Sequence, residues 1–254
     1  MLELPTDYLR PAQQSYQGER EKFSLSKELT QKLKAISQQQ GVSLFMTLLT
    51  AFNILLSRYS RQEDLCVGSA IANRTHSYTE GLIGFFVNTL VLRSKIKSEQ
   101  SFSELLQQTR QTCLDAYAQQ DIPFEYLVEK LQPERSLSHN PLFQVMMVLQ
   151  NAVGAGAKVH LPGLEIQYLE QSFPFAKFDI LLDLSERDEQ LHCMWEYATD
   201  LFAASTIRRI AAHFEVLLTA IVQNSQQPIY QLPIITPAEI QQLQVWNQTE
   251  TDYH

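Results

Sequence analysis

Three stretches in the second half of the chain alternate apolar and polar residues with a period of two. Phe143, Val145, Met147 and Leu149 interleave with Gln144, Met146, Val148 and Gln150. Phe178, Ile180, Leu182 and Leu184 interleave with Asp179, Leu181 and Asp183, and Leu191, Cys193, Trp195 and Tyr197 with His192, Met194 and Glu196. Such alternation predicts strands with one buried face, and the polar turn Ser185–Gln190 predicts a hairpin between the last two. A helical stripe follows, formed by Ile207, Ile210, Ala211, Phe214, Leu217, Leu218 and Ile221. A sheet with one apolar face and a helix with one apolar stripe can each bury the other. The expected fold class is therefore α/β: one layered lobe with a mixed or antiparallel sheet and packed helices.

The first half supplies more of the helical layer. Residues 1–22 are polar, contain Pro5 and Pro11, show little periodicity, and read as an extended arm. From Ser26 a helical period carries Leu29, Leu33 and Ile36, ending near Gly41. Ser43 is placed to cap a second helix whose apolar residues, Leu44 through Tyr59, cover so wide a face that it should be deeply buried. Leu65–Ile71 is a short strand candidate, followed by a polar loop over 72–80. Ser101 and Glu104 form a capping-box pattern ahead of Phe102, Leu105, Leu106, Thr109, Cys113 and Tyr117. A short helix is expected after Pro123. The tail from Gln226 contains Pro228, Pro233 and Pro237, then an amphipathic piece through Trp246.

Composition narrows the class of partners. A net charge of −8 argues against a broad nucleic-acid or anionic-membrane surface. No run approaches the roughly 20 apolar residues of a membrane helix, and the N-terminus lacks the basic and apolar regions of a signal peptide. The three cysteines, Cys66, Cys113 and Cys193, are far apart, lie in apolar surroundings and show no metal-ligand spacing. They read as buried free thiols in a reducing compartment, which makes cytoplasmic localisation the expectation.

One run sets burial against polarity. Ile83-Gly84-Phe85-Phe86-Val87-Asn88-Thr89-Leu90-Val91-Leu92-Arg93 reads as a buried strand, apolar on both faces, with an amide at its centre. An unpaired buried amide costs about 1–3 kcal/mol, so Asn88 must find partners. Catalytic patterns are absent: the chain has no GxSxG, phosphate loop, GxGxxG or HExxH. None of the six histidines, His76, His139, His160, His192, His213 and His254, adjoins another or has a carboxylate at metal-site spacing. His139, in Ser138-His139-Asn140-Pro141, reads as a turn residue, and His192 and His213 as structural. No metal site and no catalytic residue is assigned within this chain.

The run Ile83–Thr89 followed by Arg93 resembles a signature motif of nonribosomal peptide synthetase condensation domains. Gln120-Asp121-Ile122-Pro123-Phe124-Glu125 resembles the next motif of that family, and Arg135-Ser136-Leu137-Ser138-His139-Asn140-Pro141-Leu142-Phe143-Gln144 the one after it. The three stand in the family's order. Gly68 to Arg74 resembles the strand and loop ahead of the first motif. Leu232–Thr236 through Thr249 resembles the connector into an adenylation domain. The family's His-His-x-x-x-Asp-Gly motif is missing. The resemblance therefore implies the C-terminal lobe only: an inter-lobe linker over 1–22, the lobe over 23–225 and a connector over 226–254.

The resemblance implies a chloramphenicol acetyltransferase-like lobe. It implies one wall of a tunnel in which amide bonds form between substrates held on phosphopantetheine arms of carrier proteins. The chain would bind no cofactor directly and would be inactive alone. Its implied partners are an N-terminal lobe, peptidyl or acyl carrier proteins and an adjacent adenylation domain, with self-association where the partner lobe is missing. Asn88 is the foremost candidate for contact with substrate or pantetheine, with Ser69 and Gln144 behind it. For each, plain strand or loop structure is the competing reading. Asp121 is expected to cap the helix after Pro123, and Arg135 with Asn140 to fix the turn into the strand at Phe143. Arg208 and Arg209 read as solvated charge or as contacts for an acidic carrier protein. Two other readings remain open: a non-catalytic carrier-docking module, or the lobe of a related epimerisation, heterocyclisation or acyltransferase domain.

Overall fold

A computed structural model describes residues 1–74, 76–150, 164 and 174–249. The chain begins with an arm that leads into β1 (Gly18–Ser24), then α1 (Lys27–Gln39), α2 (Leu44–Ser60) and β2 (Asp64–Ile71). A short helix α3 (Ser77–Glu80) precedes β3 (Asn88–Lys95), α4 (Phe102–Ala118), α5 (Phe124–Leu131) and β4 (Val145–Gln150). The hairpin β5 (Ile180–Arg187) and β6 (Gln190–Ala198) leads to the long α6 (Ala204–Gln223), a 3₁₀ turn at Ile229–Gln231 and a terminal α7 (Pro237–Trp246). Among the described residues the strands form one six-stranded mixed sheet, ordered β1-β6-β5-β4-β2-β3. β4 runs parallel to both β2 and β5, and the remaining pairs are antiparallel. The expected mixed α/β lobe is the one observed.

Local chemistry explains the helix starts. The Ser26 and Ser43 hydroxyls accept the N–H of Leu29 and Met46. Ser101 and Glu104 close the expected capping box on α4. Helix α6 has no cap of its own, because Ala203 stands at the capping position. The Asp7 carboxylate caps it from the arm instead, accepting the Ala203 N–H at 2.8 Å and the Thr206 hydroxyl at 2.9 Å.

The core lies between the sheet and α1, α2, α4 and α6. Leu182, Leu184, Leu191, Cys193, Trp195 and Tyr197 point into it. At its centre Trp195 of β6, Phe52 of α2 and Phe214 of α6 meet edge to face, with ring centroids 5.8–6.2 Å apart. Such contacts add about 0.5–1.5 kcal/mol each beyond area burial. The β5–β6 turn is tighter than Ser185–Gln190: the strands continue to Arg187 and Gln190, and only Asp188 and Glu189 turn, both with positive φ. A two-residue turn of that handedness matches the twist of a hairpin. No single helix among the described residues is long and apolar enough to cross a membrane.

Two expectations need correction. The arm is not a free linker to residue 22, because Gly18–Ser24 forms the edge strand β1 on β6. Its charges stand on both faces and hide the strand period. Arg20 pairs with Glu196, Glu21 with Arg208, Tyr197 donates to Glu19, and Ser24 bonds His192. Arg208 is thus an ion-pair partner, and the charged edge deters further strand addition. The second correction concerns the run at 83–93. Residues 83–87 are not a strand, and Ile83 and Phe85 are almost fully exposed. β2 ends at Ile71, which pairs with Asn88, and the chain then turns away at Asn73, so among the described residues no strand pairs with residues 83–87.

The arm is also pinned by charge. Arg10 grips the buried Asp179 carboxylate through both terminal nitrogens and reaches the Ser138 carbonyl at 3.2 Å. Removing one partner of a buried pair leaves an uncompensated charge, which costs about 3–5 kcal/mol. Arg10→Ala is expected to lower unfolding stability by an amount near the bottom of that range, since Arg10 is partly exposed. Urea titration checks this. A loss below about 0.5 kcal/mol would show that the arm is not part of the folded lobe.

Candidate functional site

The three motif segments converge at the mouth of β3. Asn88 opens the strand, and its side chain is fully engaged. Its Nδ2 donates to the carbonyls of Gln120 and Ile122, each at 2.7 Å. Its Oδ1 accepts the N–H of Thr89 at 2.8 Å and of Phe124 at 3.2 Å. The last bond caps α5. Pro123 stands at that helix's capping position and offers no side-chain bond. The expected cap at Asp121 is therefore replaced by an amide from another strand. Pro123 holds an extended backbone and presents the Phe124 N–H to Asn88, which Asp121 does not reach.

The third motif joins through aromatic rings. Phe124 meets Phe143 edge to face at 5.6 Å, and Phe143 meets Phe178 at 5.5 Å. The Phe143 ring lies over Gly68 of β2: a Cβ added there would stand 2.2 Å from the ring. The next residue, Gln144, is buried, with 3% of its surface exposed. Its Oε1 accepts the Leu2 N–H at 2.7 Å, and its Nε2 donates to the Asn140 carbonyl at 3.1 Å. Asn140 in turn donates to the Lys177 carbonyl. Asn140 thus fixes the turn into β4 as expected, but Arg135 is exposed and takes no part in it.

Ser69 is also buried, opposite Leu90 on β3. The register puts Asn88 and Ser69 on the same side of the sheet as Leu90 and Leu92, which pack into the helical core. Asn88 is half-buried, and its amide groups already have backbone partners. What does face solvent here is the loop ahead of it. Leu82, Ile83, Phe85 and Val87 expose their side chains, flanked by exposed Ile122 and Tyr126. Arg74 shapes this loop from behind, with its guanidinium 4.3 Å from the centre of the Phe86 ring and bonded to the Thr79 carbonyl.

The sheet face opposite the helices carries a cleft of about 640 Å³ among the described residues. Lys22, Ser24, Gln150, Asp183, Ser185 and His192 line it. Burial pushes the Asp183 carboxyl above its ordinary range, against the bond it accepts from Gln150. Burial also pushes the Cys113 and Cys193 thiols up to about 12, so neither is a nucleophile near neutral pH. His139 Nδ1 lies 3.2 Å from its neighbour's carbonyl, and His192 bonds Ser24. Among the described residues no group of His, Cys, Asp or Glu could hold a metal ion.

Ordered loops thus meet beside an exposed apolar rim at the start of β3. A family model of the condensation domain matches residues 1–244, and the chain belongs to that family. It has the chloramphenicol acetyltransferase-like fold. It is 47% identical over 255 residues to one of the linear gramicidin synthase proteins of Brevibacillus parabrevis, covering all of this chain but 5% of that protein. It is 42% identical over 249 residues to chondramide synthase of Chondromyces crocatus, covering 98% of this chain and 6% of that one. Among solved structures, a four-domain nonribosomal peptide synthetase bound to AMP and glycine superposes with a TM-score of 0.81 at 26% identity. That match covers 93% of this chain and 19% of the other. The X-domain from teicoplanin biosynthesis superposes with a TM-score of 0.86 at 24% identity, covering 92% of this chain and 53% of that one.

Asn88→Ala removes the cap of α5 and leaves two carbonyls without their donor. The expected cost is about 1–3 kcal/mol. Amide exchange over Phe124–Leu131 should accelerate while that of β5 and β6 stays slow. Unchanged exchange in α5 would contradict the assignment.

Proposed function

We propose that this chain is the C-terminal lobe of a nonribosomal peptide synthetase condensation domain. In this reading it forms one wall of the channel in which carrier-tethered aminoacyl or peptidyl thioesters are joined by an amide bond. The observation that carries it is coverage: a lobe that matches the condensation-domain family along nearly its whole length accounts for 53% of the X-domain chain. The sequence supports it from the other side, since no His-His-x-x-x-Asp-Gly motif is present. Residues 1–17 then lead in from the other lobe, 18–225 form the lobe, with β1 as its edge strand, and 226–254 connect toward an adenylation domain.

The division of labour follows from the side chains. The lobe supplies geometry, and the missing lobe supplies the group that orients the amine or takes its proton. Holding two tethered reactants together can itself be worth about 7–11 kcal/mol of the barrier. Asn88 and Gln144 act on substrate indirectly, by fixing the loops that border the channel, because their own polar atoms are engaged. Ser69 sits behind them in the core. The exposed rim at Leu82–Val87 meets the partner lobe, and carrier proteins present phosphopantetheine arms at the channel ends. The setting is the cytoplasm.

The test mixes this lobe with the matching N-terminal lobe and two loaded carrier proteins, and follows condensed product by mass spectrometry. Product that requires both lobes is expected. Product from this chain alone would overturn the reading, and carrier binding without complementation would favour a docking module. A second expectation concerns the rim. Alone, the lobe should self-associate through its apolar residues, and the pair Ile83→Ser and Phe85→Ser should suppress that in sedimentation experiments. A wild-type lobe that stays monomeric and binds no hydrophobic dye would contradict it.

A further inference from the structure

Helix α7 buries none of its residues, and its Ile240, Leu243, Val245 and Trp246 face solvent. The segment before it is firmly seated. Ile229 and Leu232 are buried, and Arg58 donates to the Ile229 and Tyr230 carbonyls at 3.3 and 3.1 Å. Tyr230 N–H also bonds the Ser98 carbonyl. Beyond Ile234 this support stops. Among the described residues, the hydrogen bond that ties α7 to the lobe runs from His213 Nε2 to Glu239 Oε2, at 2.8 Å.

That bond is the end of a chain through three elements. Tyr59 of α2 places its hydroxyl 2.7 Å from His213 Nδ1, and His213 of α6 is itself buried. Arg209, one turn back on α6, bonds the Thr206 hydroxyl at 3.4 Å. Burial pushes the Tyr59 hydroxyl up to about 12, so it stays a donor at any physiological pH. The Tyr59 hydroxyl and the Glu239 carboxylate thus bracket the His213 ring, one against each nitrogen. Burial works against the Glu239 carboxylate, yet the bonds from Thr236 and His213 hold it below the ordinary range. The same oxygen closes the capping box at the start of α7, so one atom both starts the helix and docks it.

We propose that the Tyr59–His213–Glu239 chain is a latch, and that α7 is a strap which the lobe holds or releases at this point. A helix of 10 residues is too short to persist alone in water, so α7 keeps its form largely while latched. The hinge lies at Pro233–Ile235, between the buried Leu232 and the cap at Thr236. Anything joined after α7 would swing with it, and the polar latch fixes the direction in which it leaves the lobe.

Amide exchange followed by mass spectrometry on the full chain tests this. A charge-assisted hydrogen bond contributes enough that His213→Ala should speed exchange over residues 238–247 by roughly tenfold or more. Exchange in α2, α6 and the sheet should change little. Tyr59→Phe keeps the ring packing and removes only the hydroxyl, and it should speed α7 by roughly two- to fivefold. This variant decides the matter if His213→Ala does not fold. Unchanged exchange in α7 in either variant overturns the latch. So does acceleration spread equally through α6, which would make His213 a packing residue only.

Discussion

The side chain of Asn88 is where the structure's ordered loops depend on one another. Its four hydrogen bonds reach the residue beside it and three backbone groups of a segment more than thirty positions away. Each bond is modest alone, with a net value of about 0.5–1.5 kcal/mol. Together they decide where α5 begins. Phe124, whose N–H is held by Asn88, then places its ring on Phe143, and the Phe143 ring can sit against β2 only because residue 68 is glycine. Three separated motifs are therefore one mechanical joint. That is a physical reason for the three to occur together, whether or not any of their atoms touches a substrate.

A second constraint works at the opposite edge of the sheet. The N-terminal arm supplies the cap of α6, the partner of Asp179, a donor to Gln144 and finally an edge strand. These are polar bonds made by a segment with little hydrophobic content. They tie the arm to the lobe along β6 and at the start of β5, so one face of the sheet is bordered by fixed structure. The cleft between Lys22 and Asp183 lies on that face, and its shape follows from the placement of β1.

Local signals made much of the fold legible in the sequence. The Ser101–Glu104 capping box, the stripe from Ile207 to Ile221 and the alternation at Leu191–Tyr197 each concern residues a few positions apart, and each stands as read. What escaped was non-local. Gly18–Ser24 carries charge on both faces, and its partners lie on β6 and α6, so no period marked it as a strand. The apolar run at Ile83–Val87 has strand composition but no strand beside it among the described residues, and composition cannot report a missing neighbour. Asp121 has the right chemistry for a cap, yet Asn88 holds the position. The need of the Asn88 amide for partners is visible in its apolar run, and the identity of those partners is supplied only by the fold. Of the site, the three motifs were visible as words, and their contact was not.

The two ends of the joint feel each other through Phe124. A double-mutant cycle of Asn88→Ala and Phe143→Leu, read by urea unfolding, measures this directly. Asn88 and Phe143 share no hydrogen bond or ring contact, so independent residues would give additive losses, within about 0.3–0.5 kcal/mol. A coupling of about 1 kcal/mol or more, with each single variant already loosening α5, is the predicted result. Additive losses would contradict a shared joint and leave three motifs that merely lie near one another.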